Sequence, residues 1–79
     1  MDRAREDVFR EIDERRDEQD RKWGGPDHDD THCNQDWCEY IDKFVERATA
    51  PSHSRQFEDN MIHIAALAVA AIESSRRKG

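Results

Sequence analysis

The run Ile64-Ala-Ala-Leu-Ala-Val-Ala-Ala-Ile72 constrains this chain more than any other stretch. On a helix these residues are apolar on every side, in a 79-residue chain of which 41% is charged and only 34% apolar. The run is far shorter than the ~20 residues that a membrane-spanning helix needs. It must therefore be the central helix of the fold or a subunit interface. Phe57, Met61, Ile64, Ala65, Ala68, Ala71 and Ile72 form its main stripe, broadened by Ile62, Leu67 and Val69, and predict a helix over about 53–76. Its alanines permit close helix approach, and Arg76-Arg77-Lys78 suits the negative end of a helix dipole.

What covers this helix must come from the preceding residues. Residues 3–22 lack Gly and Pro, and opposite charges recur four apart in Glu6–Arg10, Glu11–Arg15, Asp17–Arg21 and Glu18–Lys22. This predicts a surface helix over about 3–23 with one thin contact line, Ala4, Val8, Ile12, Gln19 and Trp23. Trp23-Gly24-Gly25-Pro26 stops it, because a Gly takes the left-handed cap and Pro cannot continue the ladder. Asn34 is expected to cap a second helix over about 35–49, with Asp36 in its first turn. Trp37, Tyr40, Ile41, Phe44, Val45 and Ala48 give that helix a 3.6-residue apolar period, with Glu39, Asp42, Lys43 and Glu46 opposite. Cys38 reads as a small core residue at the edge of the stripe.

The fold class expected is all-α, a single three-helix domain over 1–79 around the C-terminal helix. A chain this short buries only about 60% of its unfolded surface. Two modest helices cover an all-round apolar one poorly, so a homo-oligomer is expected to complete the burial. The start of the chain has no apolar signal-peptide core, and two cysteines are too few for a disulfide scaffold. A cytoplasmic location with reduced thiols is expected.

Charge is unevenly placed. Residues 23–42 carry six acids (Asp27, Asp29, Asp30, Asp36, Glu39 and Asp42) without a Lys or Arg, so this segment holds as much net charge as the whole chain, −6. Direct nucleic-acid binding is not expected of such a chain, because it needs a basic stripe to neutralise phosphates. A cation or a basic protein surface fits better.

The densest group of candidate residues is Lys22-Trp-Gly-Gly-Pro-Asp-His-Asp-Asp-Thr-His32. A zinc reading takes His28, His32, Cys33 and Cys38, but at no standard finger spacing. A harder-cation reading takes Asp27, Asp29 and Asp30, outside any calcium-loop pattern. The plain alternative, preferred here, is a polar loop whose Asp and His side chains cap backbone groups. Neither a metal, a cofactor nor a catalytic set is assigned. Trp23 and Trp37 bracket the loop and either plug two helices together or stack on a planar ligand. The binding residues expected are Lys22, Trp23, Asp27, His28, Asp29, Asp30, His32, Asp36, Trp37 and Glu39. Asp59 and His63 lie four apart on the last helix and are read as a satisfied surface pair.

Glu14-Arg15-Arg16, Gln19-Asp20, Lys22-Trp23-Gly24, His28-Asp29-Asp30, His32, Asp36-Trp37, Tyr40-Ile41 and Ala65 to Glu73 together resemble small proteins encoded by tailed phages and prophages. The resemblance implies a phage-type accessory protein in the host cytosol. Glu11 with Glu14, and Glu58 with Asp59, are similar to the paired acidic motifs of the MazG-type nucleotide pyrophosphohydrolases, all-helical oligomers that bind magnesium. Met61 and Ile62 stand where the later acid of that pattern belongs, so the implied carboxylate set is incomplete.

Three functions follow as expectations. The first is a non-enzymatic accessory protein whose acidic surface binds a basic host or defence component, as an inhibitor of a nucleic-acid-binding complex would. The second is an oligomer that binds or sequesters a nucleotide or other small ligand. The third is a MazG-like hydrolase.

Overall fold

A computed structural model describes residues 3–49 and 54–78. The described residues form four helices and no strand: α1 (Arg3–Trp23), α2 (Pro26–Asp29), α3 (Asn34–Thr49) and α4 (Ser54–Lys78). The protein is all-α, as its periodicity predicts. The expected first residue of the last helix, 53, lies outside the described residues.

α1 keeps its ladder to the end, where the Gly24 N–H still donates to the Asp20 carbonyl at 2.9 Å. Gly24 and Gly25 then take φ values of 98° and 70°, a left-handed pair that reverses the chain. Pro26 follows at the first turn of α2, where its missing N–H costs nothing. The expected loop is thus partly helix: α2 is a single turn, which makes four helices instead of three.

α3 starts one residue earlier than expected. The Asp36 carboxylate accepts from the Cys33 N–H at 3.0 Å, and the Trp37 N–H reaches the Cys33 carbonyl at 3.3 Å. Asn34 is therefore the first helical residue rather than the cap, and Asp36 supplies the reach-back half of a capping box.

α4 is central. It packs against α3 along one side, α1 along another and α2 near its C-terminal end. The buried apolar residues are Trp37, Ala66, Leu67 and Ala70, with Tyr40, Ile41, Phe44 and Ala71 packed around them. Burying Leu67 contributes about 1.5–3 kcal/mol. The buried face of α4 also carries Asn60 and Ser74, in register with Leu67. This corrects the expected stripe: Phe57 and Ile72 are 51% and 53% exposed. A helix apolar all round offers no contrast from which to read its inner face.

α1 departs further from expectation. Val8 and Trp23 are exposed, and the buried residues of α1 are Arg16 and Gln19. A buried charge must be paired. Arg16 meets Asp20 at 3.2 Å, Asp29 at 3.5 Å and Glu73 at 3.4 Å, tying α1 to α2 and α4. Arg10 pairs with Asp7, and Arg15 with Glu18 and Asp59, in place of the expected four-apart partners. Cys38 is exposed, not a core residue.

Candidate functional site

α1 and α3 both lean on α4, and the space between them is a cleft of about 740 Å³ floored by α4. α1 supplies Arg15, Gln19, Lys22 and Trp23; α3 supplies Trp37, Tyr40, Lys43, Phe44 and Arg47. His28, Asp29 and His32 close one end, and Asp59, Asn60, His63, Leu67 and Ala70 form the floor.

The closing end is fixed by the basic tail of α4. Arg77 Nη2 and Nε donate to Asp30 Oδ1 at 2.9 and 3.1 Å, and Nε reaches Oδ2 at 3.2 Å. Ser74 Oγ donates to Asp30 Oδ1 at 2.9 Å, and Lys78 Nζ to the His32 carbonyl at 2.6 Å. These bonds hold the Asp30 carboxyl below its usual range, with the Arg77 contact the main cause. The α4 terminus therefore straps down the α2 segment, a role beyond complementing a helix dipole.

With the segment held, its imidazoles enter the cleft wall. His28 and His32 approach Nε2 to Nε2 at 3.3 Å, one donating and one accepting. His32 also meets Trp37 and Tyr40 edge to face, at 5.1 and 5.2 Å between centroids. Among the described residues no three His, Cys, Asp or Glu side chains are grouped so as to hold a metal ion.

Across the cleft, His63 stacks on Phe44 with centroids 3.9 Å apart and planes inclined by 20°. Arg15 Nη1 donates to His63 Nδ1 at 3.1 Å, and Arg15 Nη2 to Asp59 Oδ1 at 2.6 Å. An arginine has no acceptor, so His63 is the neutral tautomer with its proton on Nε2. That Nε2 is buried and has no partner among the described residues. Burial pushes the His63 pKa below its ordinary 6.5, and Arg15 beside it acts in the same direction. The Arg15 hydrogen bond holds the Asp59 carboxyl low.

Three further cations border the cleft and stand over rings. Lys22 Nζ is 5.1 Å from the Trp23 centroid, Lys43 Nζ 5.7 Å from that of Tyr40, and the Arg47 guanidinium carbon 4.8 Å from that of Phe44. None of the three has a salt bridge among the described residues. Lys43 thus lies along the cleft, not on a face opposite to it.

Of the sequence-selected residues, Lys22, Trp23, His28, Asp29, His32 and Trp37 line the cleft. Asp27, Asp30, Asp36 and Glu39 do not: Asp30 is held by Arg77, Asp36 caps α3, and Glu39 accepts from Gln35 at 3.1 Å. Sequence reasoning missed Arg15, Gln19, Lys43, Phe44, Arg47 and Asn60 as parts of one site. The available signal was Tyr40, Lys43, Phe44 and Arg47, which alternate ring and cation along one face of α3. Glu11, Glu14, Glu58 and Asp59 line a second groove of about 540 Å³ together with Val8, Phe57, Met61 and Ile62, and Arg15 and Asp59 border both it and the cleft. Comparison with family models, curated proteins and solved structures gives no match for this chain.

Proposed function

We propose that the protein binds a small anionic ligand carrying a planar ring, such as a nucleotide, in the cleft between α1 and α3. One observation carries this reading. In a chain of 19 acids and 13 bases, Lys22, Lys43 and Arg47 border one cleft over aromatic rings and make no salt bridge among the described residues. Cations without a salt-bridge partner attract an anion, and the rings beside them offer stacking faces. His63, stacked on Phe44, adds a neutral imidazole to the floor. A cleft of about 740 Å³ is of the size that small-molecule sites occupy. Binding or sequestration needs no catalytic group, and none is assigned.

The acidic-surface reading draws less support. Asp29, Asp30 and Asp36 of the six carboxylates in 23–42 are committed to Arg16, Arg77 and the α3 cap. The hydrolase reading would need the acids of the second groove to converge on ions.

Titration of nucleoside mono- and triphosphates, followed by tryptophan fluorescence and thermal shift, tests the proposal. Binding of at least one nucleotide at sub-millimolar concentration is expected. The double substitution Lys43→Glu with Arg47→Glu should weaken it by tenfold or more, on the order of 1.4 kcal/mol. A flat response to every nucleotide at millimolar concentration overturns the reading, because a ligand of the native state must stabilise it.

A further inference from the structure

His28 and His32 stand at the closed end of the cleft, and the contact between their rings is exposed to solvent. Their Nε2 atoms are 3.3 Å apart and their ring centroids 4.8 Å apart, so the two nitrogens are turned toward each other. Two imidazoles that share one tetrahedral ion at ~2.0–2.1 Å place their nitrogens about 3.3–3.4 Å apart. In the metal-free chain a hydrogen bond between neutral rings holds the same spacing. His32 Nδ1 lies 3.9 Å from Asp36 Oδ2, and that negative charge favours the His32 proton on Nδ1. His32 Nε2 is then a lone-pair acceptor and His28 Nε2 the donor.

We propose that His28 and His32 form a two-histidine site for a divalent transition metal such as Zn²⁺, Ni²⁺ or Cu²⁺. The ion bridges the two Nε2 atoms, and the His28 proton moves from Nε2 to Nδ1, so both ligands stay neutral imidazoles. Imidazole nitrogen suits these metals, whereas Mg²⁺ and Ca²⁺ require oxygen ligands. No third His, Cys, Asp or Glu side chain joins the pair among the described residues, so Cys33 and Cys38 fall outside it and the remaining positions are left to water or to a solute in the cleft. The pair is formed before the metal arrives. Arg77 and Ser74 hold Asp30, Lys78 holds the His32 carbonyl, and the His32 ring packs edge-on against Trp37 and Tyr40. Ligands already held in place lose little freedom on binding. Asp36 beside His32 opposes the positive charge that Lys78 brings to the same segment.

Titration of the full chain with zinc chloride under reducing conditions, followed by the NMR signals of the imidazole C–H groups, tests the site. The His28 and His32 signals should shift together and saturate at one ion per chain, while those of His63, stacked on Phe44, stay in place. Ni²⁺ or Cu²⁺ should quench tryptophan fluorescence, because the Trp37 ring centroid is 5.1 Å from that of His32. Cu²⁺ should bind most tightly, and Mg²⁺ at millimolar concentration should shift neither histidine. His28→Gln, at an exposed position, should weaken Zn²⁺ binding by about tenfold or more, since losing even an outer-shell partner costs that much. A chain carrying Cys33→Ser and Cys38→Ser should bind as the unsubstituted chain does. Loss of binding in that chain assigns the metal to the thiols and overturns the proposal. Unchanged affinity in His28→Gln, or zinc that shifts neither His28 nor His32, overturns it as well. Metal alone is the probe, so the result is independent of whether the cleft takes a nucleotide.

Discussion

His63 is the residue on which the chemistry of the cleft converges. It stacks on Phe44, accepts from Arg15 and lies four residues after Asp59 on the cleft floor. Its folded pKa is depressed below 6.5 by burial and then by Arg15. The unfolded chain therefore takes up a proton more readily than the folded one as pH drops below 6.5. The contribution of neutral His63 is complete above that value and is lost on acidification toward the folded pKa, below which it changes no further. His63→Phe keeps the ring stack and removes the titration. Melting temperatures of the two proteins should diverge between pH 7 and about pH 5, the wild type losing stability relative to the variant. Parallel curves across that range would show that His63 is not held neutral by its surroundings.

The turn between α1 and α2 leads the chain into the segment that closes the cleft. Gly25 has φ 70° and ψ −148°, a region open in practice to glycine alone. A Cβ placed there meets no atom within 4 Å, so substitution costs backbone strain and nothing else. Gly25→Ala is expected to cost about 1–3 kcal/mol, measured by urea denaturation at constant m-value. Since Arg77, Ser74 and Lys78 still hold Asp30 and His32, the α2 segment should stay docked in that variant. A loss below ~0.5 kcal/mol would mean the turn adopts another conformation in solution.

At the scale of the molecule, the fully buried apolar set is small and polar residues complete the interior. Val8, Phe9, Phe57 and Ile72 are among the large apolar residues left exposed. We propose that a second copy covers part of this surface, where Val8, Phe57, Met61 and Ile62 share one groove. Light scattering coupled to size exclusion should give a mass above the 9.3 kDa of one chain, and Phe57→Glu should lower it toward that value. A single-chain mass at every concentration would refute self-association. Among the described residues no helix is long and apolar enough to cross a membrane.

The sequence by itself determined three of the four elements. Period and punctuation are local properties, and they placed α1 and α3, and the C-terminal end of α4, within one or two residues of where they lie and made the alanine-rich helix central. Local signals also marked Lys22, Trp23, His28, Asp29, His32 and Trp37 as one candidate group, since they sit at or near the ends of those helices. Tertiary structure alone decided how the charges sort. Asp30 against Arg77 and Arg16 against Asp29 and Glu73 are partners far apart in sequence, which no helical period encodes. The sequence marks residues 23–42 as an acidic surface, yet Asp29, Asp30 and Asp36 are neutralised or capped. The three cations from α1 and α3 are left facing the cleft, because charge partners are chosen by proximity after α4 has fixed how α1 and α3 lie upon it.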